Sequence, residues 1–145
     1  MEKNEMTYAV RVSNSILINQ NGSMELHTND EIIKALRETL GADGGKGTLL
    51  FGEFEPVFVP EADDPCRFNT INRVNASHRI VGFHVTKESN LLYAHIEFLP
   101  SSFGEIAKKW YHRDPNHLIL VPRAILDPDH QIKILITLDL KVNRG

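Results

Sequence analysis

One cysteine, Cys66, is all that the 145 residues contain. That excludes an intrachain disulfide framework and points to a reducing compartment. A basic surplus is missing too: 16 Lys and Arg stand against 19 Asp and Glu, for a net charge of −3. General electrostatic attachment to nucleic acid needs a basic surface that releases counterions, so nucleic acid is not the expected partner. The opening stretch MEKNEMTYAV lacks the basic-then-apolar layout of a signal peptide. No apolar run approaches the length of a membrane span. The expectation is a cytoplasmic protein with no membrane partner. A P-loop is absent as well. In GADGGKG (41–47) the Gly-Lys is followed by Gly47 rather than Ser or Thr, and the segment runs from helix to strand. A turn accounts for it better than a phosphate site.

What is present reads as one α+β domain over residues 1–145, rich in strands and carrying two helices. In HTNDEIIKALRETLG, Thr28 and Glu31 have capping-box spacing. Ile32, Ile33, Leu36 and Leu40 recur at helical intervals, and Gly41 is the stop. SSFGEIAKKWYHRDP repeats the pattern with Ser102 and Glu105, places Ile106 and Trp110 on one face, and ends at Asp114-Pro115. TYAVRV, SILIN, TLLF, RIVGFHV, LLYAHIEFL, HLILVPRAI and IKILITLDLKV are β-branched and aromatic runs bounded by turn residues. Tyr93, His95 and Glu97 alternate with Leu92, Ala94, Ile96 and Phe98, as strands with one wet face do; Ile132, Ile134, Ile136 and Leu138 suggest the same. The proline-rich, acidic PVFVPEADDPC (56–66) reads as a loop. A bent sheet or a partly open barrel would limit the exposed edges.

The seven histidines show no His-x-x-x-His on a helix, so no metal ligand and no cofactor is expected. His84-Val85-Thr86 is half of the His-x-Thr pair used by two-histidine phosphoesterases. The matching triplet at His95 ends in Glu97, without a hydroxyl. NASHRIVGF puts His78 at the start of an apolar strand, a sheet-end position where general bases are often placed.

The order of the short motifs carries more than any one of them. GEFEP (52–56) precedes INRVNASHRI (71–80), then LLYAHIEFLPSSFGEIAKKW (91–110), HLILVPRAI (117–125) and ILITLDL (134–140). This succession resembles the prohead core proteases of tailed phages, serine proteases that trim scaffold and capsid proteins during head maturation. The likeness covers roughly residues 14–142, including the Asn-rich turn and helix of INQNGSMELHTNDEIIKAL. It implies a prohead-protease-like fold, His78 as the base and Asp139 as the aspartate that orients it. Aligning the family's arginine on Arg123 puts its nucleophilic serine on Val121, beside Pro122.

A valine has no atom that can attack a carbonyl, and Pro122 removes an N–H near the expected oxyanion hole. The family's Gly-Glu-Leu-x-His-Pro has become Gly52-Glu53-Phe54-Glu55-Pro56, without its histidine, and the glycine after the arginine is Ala124. Replacement nucleophiles are few. Ser77 adjoins His78, but strand neighbours point to opposite faces; Ser101 and Ser102 read as helix caps, which leaves Cys66.

The expectation is therefore a degenerate family member: His78 and Asp139 a vestigial pair, Arg123, Pro122 and Glu53 lining a binding site. It would bind phage or host protein segments in an infected bacterial cell, in the virion or as a homo-oligomer. The alternatives are an active protease with a displaced nucleophile and a phosphoesterase centred on His84 and Thr86.

Overall fold

A computed structural model of the chain describes residues 7–41, 50–56 and 67–143. The segments 42–47 and 57–66, with Cys66, lie outside the described residues. The apolar runs form β1 (Tyr8–Arg11), β2 (Ser15–Leu17), β3 (Met24–Leu26), β4 (Leu50–Glu53), β5 (Ala76–Val85), β6 (Leu92–Phe98), β7 (Leu118–Leu126) and β8 (Ile132–Val142). They assemble as two four-stranded sheets, β1-β6-β5-β4 and β3-β2-β7-β8. The domain is β-rich with two helices, and the sheets do not close into a barrel. They meet instead at two single parallel bridges, Val12 with Leu120 and Phe54 with Leu140.

Strand β3 is the element that sequence patterning missed. Its three residues, Met24-Glu25-Leu26, are too short a run to stand out as a strand, and it pairs antiparallel with β2, Leu17 opposite Met24.

Helix α1 (Asn29–Leu40) starts as expected, with Thr28 Oγ1 accepting the Glu31 amide, and ends at Gly41, φ 99°. The Glu31 carboxylate does not complete the capping box but turns to His27 Nδ1 at 3.0 Å. The helix buries Ile32, Ala35, Leu36 and Leu40 and packs on β8. Helix α2 (Ser102–Arg113) is capped by Ser101, not Ser102. Ser101 Oγ accepts the Gly104 amide and donates to the Ala76 carbonyl. Choosing Ser101 ties the helix start to β5, and only Gly fits at 104, because a Cβ there would lie 1.9 Å from the Leu99 carbonyl oxygen. The helix turns Ala107 inward and leaves Ile106 42% exposed.

One continuous core draws Val10, Ile16, Leu36, Ile80, Ile96, Leu120 and Leu138 from both sheets and α1. Each such side chain, fully buried, contributes about 1.5–3 kcal/mol.

Of the four register shifts in the two sheets, the last of them between Ile125 and Leu126 near the end of β7, three decide which side chains face this core. In β4–β5, Gly52 pairs with His78 and Glu53 with Ala76, so Ser77 is the extra residue. In β5–β6, Ile80 pairs with Ile96 and Gly82 with His95, which leaves out Val81. In β7–β8, Arg123 pairs with Thr137 and Ala124 with Leu135, which leaves out Ile136. A bulge adds one residue and so reverses the facing of everything beyond it. Hence β8 buries Leu135, Leu138 and Leu140, while Ile134 stays 49% exposed. Ile136 joins a small separate cluster with Leu17, Phe68 and Val121.

Candidate functional site

Strand β4 and strand β8 approach each other without forming a main-chain ladder along Leu50–Glu53, and polar side chains fill the seam. Thr137 Oγ1 donates to the Phe51 carbonyl at 2.7 Å, and the Glu53 amide donates to Asp139 Oδ1 at 3.1 Å. Thr137 and Asp139 thereby satisfy main-chain groups that a neighbouring strand would otherwise pair.

Asp139 is in turn gripped side-on by Arg123, whose Nε–H donates to Oδ2 and Nη2–H to Oδ1, both at 2.9 Å. The same guanidinium reaches Glu53 Oε2 at 3.2 Å and the carbonyls of Phe68 and Thr70 at 3.0 and 2.9 Å. All five of its donors are thus engaged. Arg67 closes the other side of Glu53 with bonds of 2.8 and 3.0 Å, and the Asn72 amide adds a third contact at 2.8 Å. Among the described residues, two carboxylates meet two guanidinium groups in this largely buried network. Arg123 and Glu53 are 0% exposed and Asp139 1%.

Burial pushes the Glu53 carboxyl upward, but the Arg67 hydrogen bond, the Asn72 amide and the charges of Arg123 and Arg67 outweigh it, and its pKa falls below the usual value. For Asp139 burial prevails over Arg123 and the Glu53 amide, with the Glu53 charge adding to it, so its pKa is raised.

His78 lies beside this network rather than in it. It does not sit at a wet sheet end: β5 begins at Ala76 and the imidazole is 0% exposed. Nε2 lies 2.8 Å from the Leu138 carbonyl and Nδ1 2.7 Å from Ser77 Oγ. A carbonyl only accepts, so Nε2 carries the proton and Ser77 donates to Nδ1. Neither ring nitrogen bonds Asp139, so the hydrogen-bonded His78–Asp139 pair does not form.

Desolvation holds the His78 pKa down to about 4 despite the Leu138 bond. The ring reaches Leu138 only because residue 52 is glycine: a Cβ there would stand 2.2 Å from the Leu138 oxygen and 2.3 Å from His78 Nε2. The Ser77 bulge explains why two strand neighbours touch, against the alternation that separates them in a regular strand. Polarised by His78, Ser77 has the chemistry of a nucleophile, but it too is 0% exposed.

Val121 sits across from Asp139 on β7 and is 6% exposed, packed with Leu17 and Phe68. Pro122 is buried between the Leu120–Val12 bridge and the Arg123–Leu17 pair, so its missing N–H interrupts neither. Glu53, Pro122 and Arg123 were expected to line a binding surface. All three are buried, and none presents a side chain to a partner.

The other chemistry-bearing group lies on the outer face of the first sheet. The Val81 bulge turns His84 outward, opposite Tyr93, whose ring stacks on it at 5.5 Å and 8°. His84 Nδ1 is 2.6 Å from His95 Nε2 on the adjoining strand. Burial, then the charge of His84, lowers the pKa of His95. Thr86 does not join them: its hydroxyl is 2.7 Å from Ser89 Oγ and takes part in the turn to Leu91. The two histidines are thus neighbours on one open face, not partners across a cleft, and this does not favour the phosphoesterase reading. Sequence inspection had His84 and His95 separately; the extra residue that brings them together has no signal in spacing alone.

No protein-family model matches the chain, and no curated protein or solved structure is significantly similar to it.

Proposed function

We propose that this chain is a prohead-protease-like protein that binds protein segments without cleaving them, as a scaffold or adaptor in phage head assembly. The motif order from GEFEP to ILITLDL supports the kinship. The observation that carries the non-catalytic half is Val121. The position aligned with the nucleophile holds a buried side chain without oxygen or sulfur, and both nitrogens of His78 are committed elsewhere.

The binding half rests on β3. This edge strand pairs only with β2 among the described residues, and it exposes Leu26 by 79% and Met24 by 43%. An open edge with apolar side chains suits strand addition by an extended segment, in which main-chain bonds give affinity and side chains give selectivity.

The test mixes purified protein with capsid and scaffold proteins of a tailed phage. Binding without cleavage, weakened in Leu26→Asp, is the expected result. Cleavage that disappears in His78→Ala would overturn the non-catalytic reading; binding unaffected by Leu26→Asp would move the partner away from β3.

A further inference from the structure

We propose that His84 and His95 form a two-point clamp for a divalent first-row transition-metal ion of the Cu²⁺, Ni²⁺ or Zn²⁺ class. The proposal is independent of the protein-binding reading and concerns a different face of the molecule.

The geometry is specific. His84 Nδ1 and His95 Nε2 face each other at 2.6 Å. Two ring nitrogens on one ion, each about 2.0–2.1 Å from it, stand about 2.8–3.4 Å apart at coordination angles of about 90–110°, so the rings must part and turn toward a common point to admit the metal. Only one proton can lie between the facing nitrogens, because two N–H groups at this distance would repel. The pair therefore directs at least one lone pair at the gap. When the ion enters, that proton moves to the outward nitrogen of the same ring, and both facing nitrogens become ligands with no net proton released from the neutral pair.

Three features of the fold hold this arrangement. By strand parity His84 would follow His78 and Ile80 inward, and the Val81 bulge sets it outward instead. Tyr93 stacks on its ring and fixes its plane. Around His95 the sheet is bare, with Gly82 opposite on β5 and Ala9 opposite on β1, so water and an ion have access. The nearest charges in register are Arg11, opposite Tyr93, and the Arg79–Glu97 ion pair beyond His95. Among the described residues no group of three or more His, Cys, Asp or Glu converges on one point, so water completes the coordination. Imidazole nitrogens with open positions suit Cu²⁺ most, then Ni²⁺ and Zn²⁺.

The test is calorimetric titration of tag-free protein with Cu²⁺, paired with imidazole ¹⁵N NMR during Zn²⁺ addition. One saturable site is expected, with metal-bound signatures at His84 Nδ1 and His95 Nε2. His84→Gln and His95→Gln should each weaken it by about tenfold or more. His130→Gln, on the separate Glu25–His130 contact, should leave it unchanged. The absence of saturable binding, wild-type affinity in either clamp variant, or a loss that follows His130→Gln would each overturn the proposal. Both clamp residues face outward, and circular dichroism of the variants separates loss of a ligand from loss of the fold.

Discussion

His78 and His84 belong to the same strand, yet they do opposite things. The first is sealed against Ser77 and the Leu138 carbonyl, with its pKa held down to about 4 by burial. The second lies in the open against His95 and Tyr93. Even spacing along a strand should have put both on one face. One inserted residue, Val81, separates a histidine that fastens the fold from one that is available to a ligand. The same contrast holds between the polar groups around each. In the seam, the carboxylates of Glu53 and Asp139 are held by buried guanidinium and main-chain donors; on the open face, two nitrogens share one proton on the sheet's outer surface.

The sharpest way to break this comparison is to unbalance the seam. Arg123→Met leaves Asp139 and Glu53 facing each other with Arg67 as their one counter-charge among the described residues. The expected loss is about 3–5 kcal/mol in urea unfolding, the usual cost of stripping one partner from a buried ionic network. A loss below about 1 kcal/mol would mean that the network does not hold the sheets.

Acid should do next most. The His78 pKa is lowered in the folded state, so its contribution is intact above the unfolded value near 6.5 and is lost as pH falls toward 4. The size is about 3 kcal/mol. Glu53, also depressed, acts in the same direction, losing its contribution as pH falls through its folded pKa, whereas Asp139, raised, works against both. Unfolding free energies from pH 7 to 4 should therefore drop more steeply in wild type than in His78→Gln, and parallel curves would refute the assignment.

Gly52→Ala tests the approach of the ring to Leu138. It should cost about 1–3 kcal/mol by overpacking and raise the solvent exchange of the His78 Nε2 proton. The smallest effect belongs to the open face. His84→Gln should change stability by no more than about 0.5 kcal/mol, as surface substitutions do, and a larger loss would show that the outer histidines are structural after all.

Much of the architecture was legible because it is local. Thr28 and Gly41 bound the first helix as their chemistry dictates, and the Leu92, Ala94, Ile96 alternation of β6 runs inward as written. Where reading failed, a contact distant in sequence had intervened. Ser101 outcompetes Ser102 as a cap because its hydroxyl also reaches Ala76. Ile134 and Ile136 leave the core because a bulge reverses β8 midway. Strand β3 is too short a run to stand out, and its pairing with β2 marks it as a strand.

The candidate site divides along the same line. Residue identity alone settled that position 121 can supply no nucleophile, since a valine side chain carries no reactive atom whatever surrounds it. The chain likewise determined which charges were available to be paired. Only tertiary structure decided the pairings: Asp139 with Arg123 instead of His78, His78 with a main-chain carbonyl, and His84 with His95. Those choices depend on strand register, and register is set by bulges, each of which shifts facing by one residue while leaving composition and spacing almost untouched.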